Sequence, residues 1–256
     1  MKERPILFSG SMVRALLDGT KTQTRRVVKA RPGWPISFVG GAGDQDDPSC
    51  YGFEDLNSGQ WWTLAPDGRV DNNQIPSPYG APGDRLWVRE SGVISKLRGT
   101  AEKPSIFRHD VPTTPDTGHY WVEETRGPGA SYNVAGCSRA NALLSYGAKA
   151  CPSIHMPRWA SRIELEVSRV RVERLNRITE EDAEAEGAAP AWLDVDGETV
   201  NLCRPTYRQG FARLWRDING DESWDANPWV WVVEFKKIER ELVRRPDFLS
   251  DEDVPF

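Results

Sequence analysis

Apolar positions along the chain follow a helical period in some stretches and alternate in others. Met12, Val13, Leu16 and Leu17 make a stripe at helical spacing, with Ser9 or Ser11 able to cap its start and Gly19 suited to the left-handed position past its end. Residues 11–18 are therefore predicted helical. KTQTRRVVKA, from residue 21, then switches to Thr, Val and alternating polar residues, the pattern of a strand. GDRLWVRE at 83–90 is a second strand, with Leu86, Val88 and Glu90 on one face and Arg85, Trp87 and Arg89 on the other. In MPRWASRIELEVSRVRVERL, from residue 156, Ile163, Leu165 and Val167 alternate with polar residues, which predicts a long strand or a pair of strands. ITEEDAEAEG at 178–187 reads as a short helix. Thr179 and Asp182 give it a capping-box-like start, acids fill its first turn where the helix dipole favours them, and Gly187 ends it. Residues 205–217 are amphipathic, with Phe211, Leu214 and Trp215 on one face. PWVWVVEFKKI at 228–238 is apolar on both faces, as a central strand is.

The stretches between these elements are different. Residues 32–82 and 91–155 are rich in turn residues and read as loop-rich insertions. The first holds one hairpin around WWTLAPDGRV, turning at Asp67-Gly68. The second holds a strand at HYWVEE and a helix near SRANALLSYG. The tail after Glu239 is charged and peripheral. The class is α+β, expected as a single domain over 1–240 with insertions at about 32–80 and 91–155 and a charged tail at 241–256.

Composition narrows the function classes. Of 256 residues, 38% are hydrophobic and 28% charged, a globular balance with no run of about 18 apolar residues, so no transmembrane helix is expected. The first residues lack the apolar core of a secretory signal, and the expected location is cytoplasmic. The net charge of −5 argues against a whole-protein field that attracts nucleic acid, though a local basic patch remains compatible with it. Cys50, Cys137, Cys151 and Cys203 form no CxxC pair, and only His109, His119 and His155 are available, so a zinc site is poorly supported and reduced thiols are expected. Cys151 and His155 lie four apart without a third group to complete a catalytic set. GxGxxG, P-loop, HExxH and GxSxG motifs are missing.

One segment carries chemistry. Gly19-Thr20-Lys21-Thr22-Gln23-Thr24-Arg25-Arg26 places a lysine, a threonine and two arginines just past a helix end. The plain reading is a C-cap whose basic residues complement the negative end of the helix dipole. The segment also resembles the GxKxxExR signature of the ASCH domain, a PUA-like small β-barrel family, with Gly19, Lys21 and Arg26 matching and Thr24 where many members carry glutamate. Threonine at that place resembles the subset that removes the acetyl group from N(4)-acetylcytidine, for which a lysine, threonine and distant glutamate triad is proposed. Ile178 to Gly187 is similar to the family pattern L-T-x-x-x-A-x-x-E-G/N and puts Glu186 on the glutamate position. The matching pieces are 5–31, 81–90, 157–190 and 205–238; GDRLWVRE, MPRWASRI and NPWVWVVEF also resemble an ASCH-like group common in bacteriophages and prophages. The resemblance implies a PUA-like small β-barrel with flanking helices, the two insertions having no counterpart in the minimal family. It implies an amidohydrolase whose site is Lys21, Thr24 and Glu186, a small modified nucleoside as substrate, and no metal or organic cofactor.

Such chemistry needs a nucleophile, a base and a group that holds the oxyanion. A threonine hydroxyl needs a neighbouring base, which Lys21 supplies if burial or the charges of Arg25 and Arg26 lower its pKa. In the other arrangement Glu186 activates water and Thr24 donates a hydrogen bond. A regular strand through Lys21 would put Lys21 and Thr24 on opposite faces, so the strand is expected to begin at about Thr22 or later. Arg26, Glu90, Arg158 and Trp159 are candidate substrate contacts. Against these stand plainer roles: Glu90 as a salt-bridge carboxylate and Trp159 as packing. Arg158 and Arg162, flanking Trp159, can grip phosphate beside a stacked base. Trp61-Trp62 either forms a lid or anchors the first insertion. The rival function is a PUA-like module that binds RNA or a modified base without cleaving it, motivated by Lys21, Arg25, Arg26, Lys29 and Arg31 and by eleven tryptophans. A phage accessory or assembly role is a third reading, for which the residues offer no chemistry.

Overall fold

A computed structural model describes residues 1–29, 35–40, 47–64, 73–96, 105–110, 121–126, 131–135, 149–195, 198–200 and 204–239. The chain begins with β1 (Glu3–Leu7), α1 (Gly10–Leu17) and β2 (Gln23–Val27). The first insertion contains β3 (Ser37–Phe38), β4 (Tyr51–Asp55), β5 (Gln60–Leu64) and β6 (Gln74–Ile75). β7 (Arg85–Arg89) leads to the second insertion, with β8 (Gly92–Lys96), β9 (Ser105–His109), β10 (Trp121–Arg126), β11 (Ser131–Ala135) and β12 (Lys149–Cys151). Then come β13 (Glu164–Arg174), α2 (Glu180–Ala185), β14 (Leu193–Val195), β15 (Glu198–Val200), α3 (Tyr207–Asn219) and β16 (Trp229–Lys237). The class is α+β and mostly strand. One sheet runs β1-β7-β13-β16-β2. Among the described residues no helix is long and apolar enough to cross a membrane.

The chain divides into two compact units. The first comprises Met1–Arg4, Asp18–Arg85 and Leu165–Lys237. In it β16 pairs antiparallel with β13 on one side and β2 on the other. Directly opposed residues share a face, so the register sorts β2 cleanly. Arg25 lies opposite Val232 and Val27 opposite Val230, while Thr24 lies opposite Val233 and Arg26 opposite Trp231. Val230 and Val232 belong to a buried cluster with Leu175, Ile178, Ala183, Phe211, Ala212 and Trp215, with Val27 packed against it. The apolar stripe of α3 and the single buried alanine of α2 thus cover the Gln23–Arg25–Val27 face of the sheet. Thr24 and Arg26 occupy the opposite face. Capping follows the sequence: the Asp182 amide donates to Thr179 Oγ1 at 3.1 Å, the Gln209 amide donates to Thr206 Oγ1 at 3.2 Å, and Gly187 takes φ 76° just beyond α2.

The first insertion is not the loop with one hairpin that its composition suggests. Its strands form a sheet in the order β3-β4-β5-β6. The hairpin joins β4 to β5, with Glu54 opposite Trp61, and turns through 56–59. Asp55 accepts from the Asn57 and Gly59 amides, and Gly59 has φ 67°. β5 pairs in parallel with β6 instead of forming the outgoing arm of a hairpin at Asp67-Gly68, a turn that lies outside the described residues.

The second unit comprises Pro5–Leu17, Leu86–Glu164 and the residues from Ile238 onward. α1 buries Val13 and Leu16, as its stripe requires, and its Val13 amide donates to the Ser9 carbonyl at 2.9 Å. β8 to β12 form an antiparallel sheet in the order β11-β10-β9-β8-β12, where the sequence suggested one strand and a helix. Segments such as GVISK and SIFRH are too short and too mixed for alternation to separate them from loop. The helix expected near 138–147 lies outside the described residues, as does the tail from 240. Phe107, Cys151, Met156 and Ala160 make a small core, with Ile94 and Trp159 packed against it.

Candidate functional site

Two residues after the left-handed Gly19 (φ 76°), Lys21 is held in an isolated antiparallel bridge with Glu186, and regular pairing starts only at Gln23. The Thr22 amide donates to the Ala185 carbonyl at 2.8 Å, and the Thr22 carbonyl accepts from the Phe235 amide at 2.9 Å. These bonds tie the entry of β2 to the end of α2 on one side and to β16 on the other. Glu186 is the residue just after α2, and its amide donates to the Asp182 carbonyl at 3.0 Å. Lys21 and Glu186 are 165 residues apart in the chain. Here the Lys21 ammonium donates to Glu186 Oε2 at 2.8 Å and to the Glu186 backbone carbonyl at 2.7 Å. Both residues are buried, Lys21 at 3% and Glu186 at 2% exposure.

Arg25, also buried, reaches the other carboxylate oxygen: its Nη1 lies 3.4 Å from Glu186 Oε1. Its Nη2 donates to Asp182 Oδ2 at 2.6 Å and to Glu173 Oε2 at 3.3 Å. Arg171 of β13 bonds the same Asp182 at 3.1 and 3.3 Å and also pairs with Glu173 and Glu234. Gln23 completes this face by donating to the Asp182 carbonyl at 2.7 Å. Burial is the largest influence on Lys21 and pushes its pKa down from the ordinary 10.5. Glu186 opposes that fall, and the charges of Arg26 and then Arg25 add to it. For Asp182, burial works against ionisation but Arg25 and Arg171 outweigh it, so its carboxyl sits below the usual aspartate value.

Of the residues singled out in the sequence, the structure joins Lys21 to Glu186 directly. Thr24 is buried at 2% exposure, on the face of β2 that it shares with Arg26 and opposite Val233. Lys21, outside the regular strand, is bound neither to that face nor to the other by alternation. The Arg26 charge bears on it more than the Arg25 charge does. Arg26 also acts on Tyr79, whose phenol burial pushes up and Arg26 pulls back.

The other candidates belong to the second unit. Glu90 is 1% exposed and receives Arg162 in a two-pronged bond, Nε to Oε1 at 3.1 Å and Nη2 to Oε2 at 2.7 Å. His109 Nδ1 stands 3.4 Å from Oε1. Burial alone would raise the Glu90 pKa, but Arg162 and His109 together hold it at about 2. Arg158 pairs with Glu164, and its guanidinium carbon lies 5.7 Å from the Trp87 ring, which Arg89 also covers at 4.7 Å. Trp159 packs on the small core of this unit. Glu90 and Trp159 therefore have the salt-bridge and packing roles that stood beside the functional ones.

From the sequence Arg25 stands as a charge near Lys21 and a member of the basic run, and Asp182 as a helix-cap residue. The spacing does not show that Asp182 pairs with Arg25, which also reaches Glu186, nor that His109 and Arg162 meet at Glu90. Strand alternation was the available signal: Gln23, Arg25 and Val27 share a face, and an arginine on a core-facing position demands carboxylates. Among the described residues no group of three or more His, Cys, Asp or Glu side chains is arranged to hold a metal ion. No family model, curated protein or solved structure matches the chain.

Proposed function

We propose that this chain is an amidohydrolase that removes the acyl group from N(4)-acylated cytosine or cytidine. It does so in a PUA-like domain of the ASCH kind, with Lys21, Thr24 and Glu186 as its reacting residues. The observation that carries the reading is the buried Lys21. Burial and two neighbouring guanidinium groups disfavour its ammonium form, and Glu186, in direct contact, can orient it and share its proton. A lysine in that balance is able to take a proton from a hydroxyl and return it.

In the step as proposed, neutral Lys21 takes the Thr24 hydroxyl proton while Thr24 Oγ bonds to the acyl carbonyl carbon. The carbon–N(4) bond then breaks, and the Lys21 proton passes to the departing cytosine amine. Water, activated by the same lysine, releases the carboxylic acid from Thr24. Arg26 shares the Thr24 face through strand register and is the residue suited to hold the oxygen charge that builds on the carbonyl.

The RNA-binding alternative leaned on the basic run after Gly19. Two of its five charges, Lys21 and Arg25, are buried and spent on Glu186, Asp182 and Glu173. This favours the hydrolytic reading over phosphate binding. The test is incubation of the purified chain with N(4)-acetylcytidine while the ultraviolet spectrum is followed. Conversion to the cytidine spectrum is expected, with its rate lost in Lys21→Ala. An unchanged spectrum with active-site concentrations of protein removes the proposal.

A further inference from the structure

The Lys21–Glu186 pair does not stand alone. Glu186 has two oxygens and two cationic neighbours, yet the contacts are unequal. Lys21 sits at 2.8 Å from Oε2, whereas Arg25 remains 3.4 Å from Oε1. The reason lies at the other end of the Arg25 fork, where Nη2 is drawn to Asp182 at 2.6 Å, with Glu173 at 3.3 Å as a second anchor. Asp182 is itself fixed by Arg171. We propose that Asp182 is a positioning residue for the Lys21–Glu186 pair: by holding Arg25 it keeps that guanidinium from claiming the Glu186 carboxylate and leaves Glu186 to Lys21. The inference rests on the hydrolytic reading of the site for its consequence in catalysis, and on the geometry alone for its consequence at Lys21.

The direction of the effect follows from charge. Glu186 faces Lys21 from the end of α2, and Arg25 and Arg26 face it from β2. Arg25 in turn meets Asp182 and Glu186 from the α2 segment and Glu173 from β13, and Arg171 of β13 meets Asp182, Glu173 and, from β16, Glu234. Neutralising Asp182 removes one negative charge from this array and leaves Arg25 free to close on Glu186 Oε1. Both changes weaken the hold of Glu186 on the Lys21 proton, so Lys21 gives it up at lower pH. The substitution Asp182→Asn isolates this effect. The Asp182 contacts that build α2 use its backbone, the amide to Thr179 Oγ1 and the carbonyl from Gln23 Nε2, and both survive the exchange.

The experiment is a titration of Lys21 followed by nuclear magnetic resonance in the full chain carrying isotope-labelled lysine, its signal assigned by loss in Lys21→Arg. In Asp182→Asn the midpoint is expected to fall by about half a unit or more. Glu173→Gln, which removes the longer contact, should move it the same way by less, and Asp182→Glu should restore it. The pH dependence of N(4)-acetylcytidine hydrolysis should move in step, which a merely structural role for Asp182 would not produce. A midpoint that stays or rises in folded Asp182→Asn overturns the inference. A midpoint that falls in a chain whose wild type hydrolyses nothing upholds the positioning role and rejects the hydrolytic reading instead.

Discussion

Each unit of the molecule buries a carboxylate against a cation, and the two solutions differ in one respect that matters. In the second unit Glu90 is clamped by Arg162, whose guanidinium never gives up its proton, and the carboxyl is held at about 2. In the first unit the partner of Glu186 is Lys21, whose pKa is lowered and which is crowded by the charges of Arg26 and Arg25. Glu90 therefore stays ionised, and Arg162 charged, across the physiological range. In the Lys21 cluster burial weakens the ammonium's hold on its proton. Burial and ion pairing alone do not separate the two clusters; the identity of the cation does, since a lysine can lose its proton where an arginine does not.

The contrast can be broken most sharply at the two carboxylates. Glu186→Gln should lower N(4)-acetylcytidine hydrolysis by at least about 100-fold, the low end of what general-base assistance supplies. Equal rates in variant and wild type would remove Glu186 from the reaction. Its cost to stability should be modest, because Lys21 can become neutral and Arg25 keeps Asp182 and Glu173. Glu90→Gln has no such escape. It strands a permanent charge on buried Arg162 and should cost about 3–5 kcal/mol, measured by denaturant unfolding. If Glu186→Gln proves the more damaging to stability of the two, the proposed difference between the clusters is wrong.

Acid and base sharpen the same comparison. Glu90 is depressed from 4.5 to about 2, so its stabilising contribution is complete above pH 4.5 and disappears as the pH falls through about 2. Lys21 has the same sign at the other end of the scale. Its folded pKa lies below 10.5, so the native state carries fewer protons than the unfolded chain between those two values, and stability rises with pH across that window. Unfolding free energy measured against pH in wild type and Lys21→Met should differ in slope on the alkaline side. Parallel curves there would mean that Lys21 is not depressed. At the bottom of the scale, the half-exposed Arg4–Asp84 pair at 3.2 Å should contribute less than about 1 kcal/mol, read as the loss in Arg4→Ala.

Much of this was legible before any coordinates. The helix at α1 and its glycine stop follow from spacing and capping chemistry, whereas the late start of β2 was expected because the lysine–threonine pairing that the resemblance implies needs both on one side; the strand begins at Gln23. The Lys21–Glu186 meeting followed from a family resemblance, since no local rule joins residues 165 apart. The partners were not legible for the same reason. Glu90 and Arg162 are 72 residues apart, and Asp182 looks from the sequence like a first-turn acid serving the helix dipole, a role its neighbours make secondary. The insertions were misread because their strands are short and their pairings, such as β5 with β6 in parallel, carry no turn signature. Alternation did foresee that Thr24 and Lys21 need an irregular stretch between them to act together, and Lys21 lies in such a stretch, ahead of the regular pairing.

The most direct test of the account is the rate of N(4)-acetylcytidine hydrolysis by Lys21→Met set beside the wild type, both confirmed folded. Methionine keeps the bulk of the buried side chain and removes only the amine. The account predicts a wild type that converts the substrate and a variant slower by at least about 100-fold. A Lys21→Met chain as fast as the wild type would contradict it.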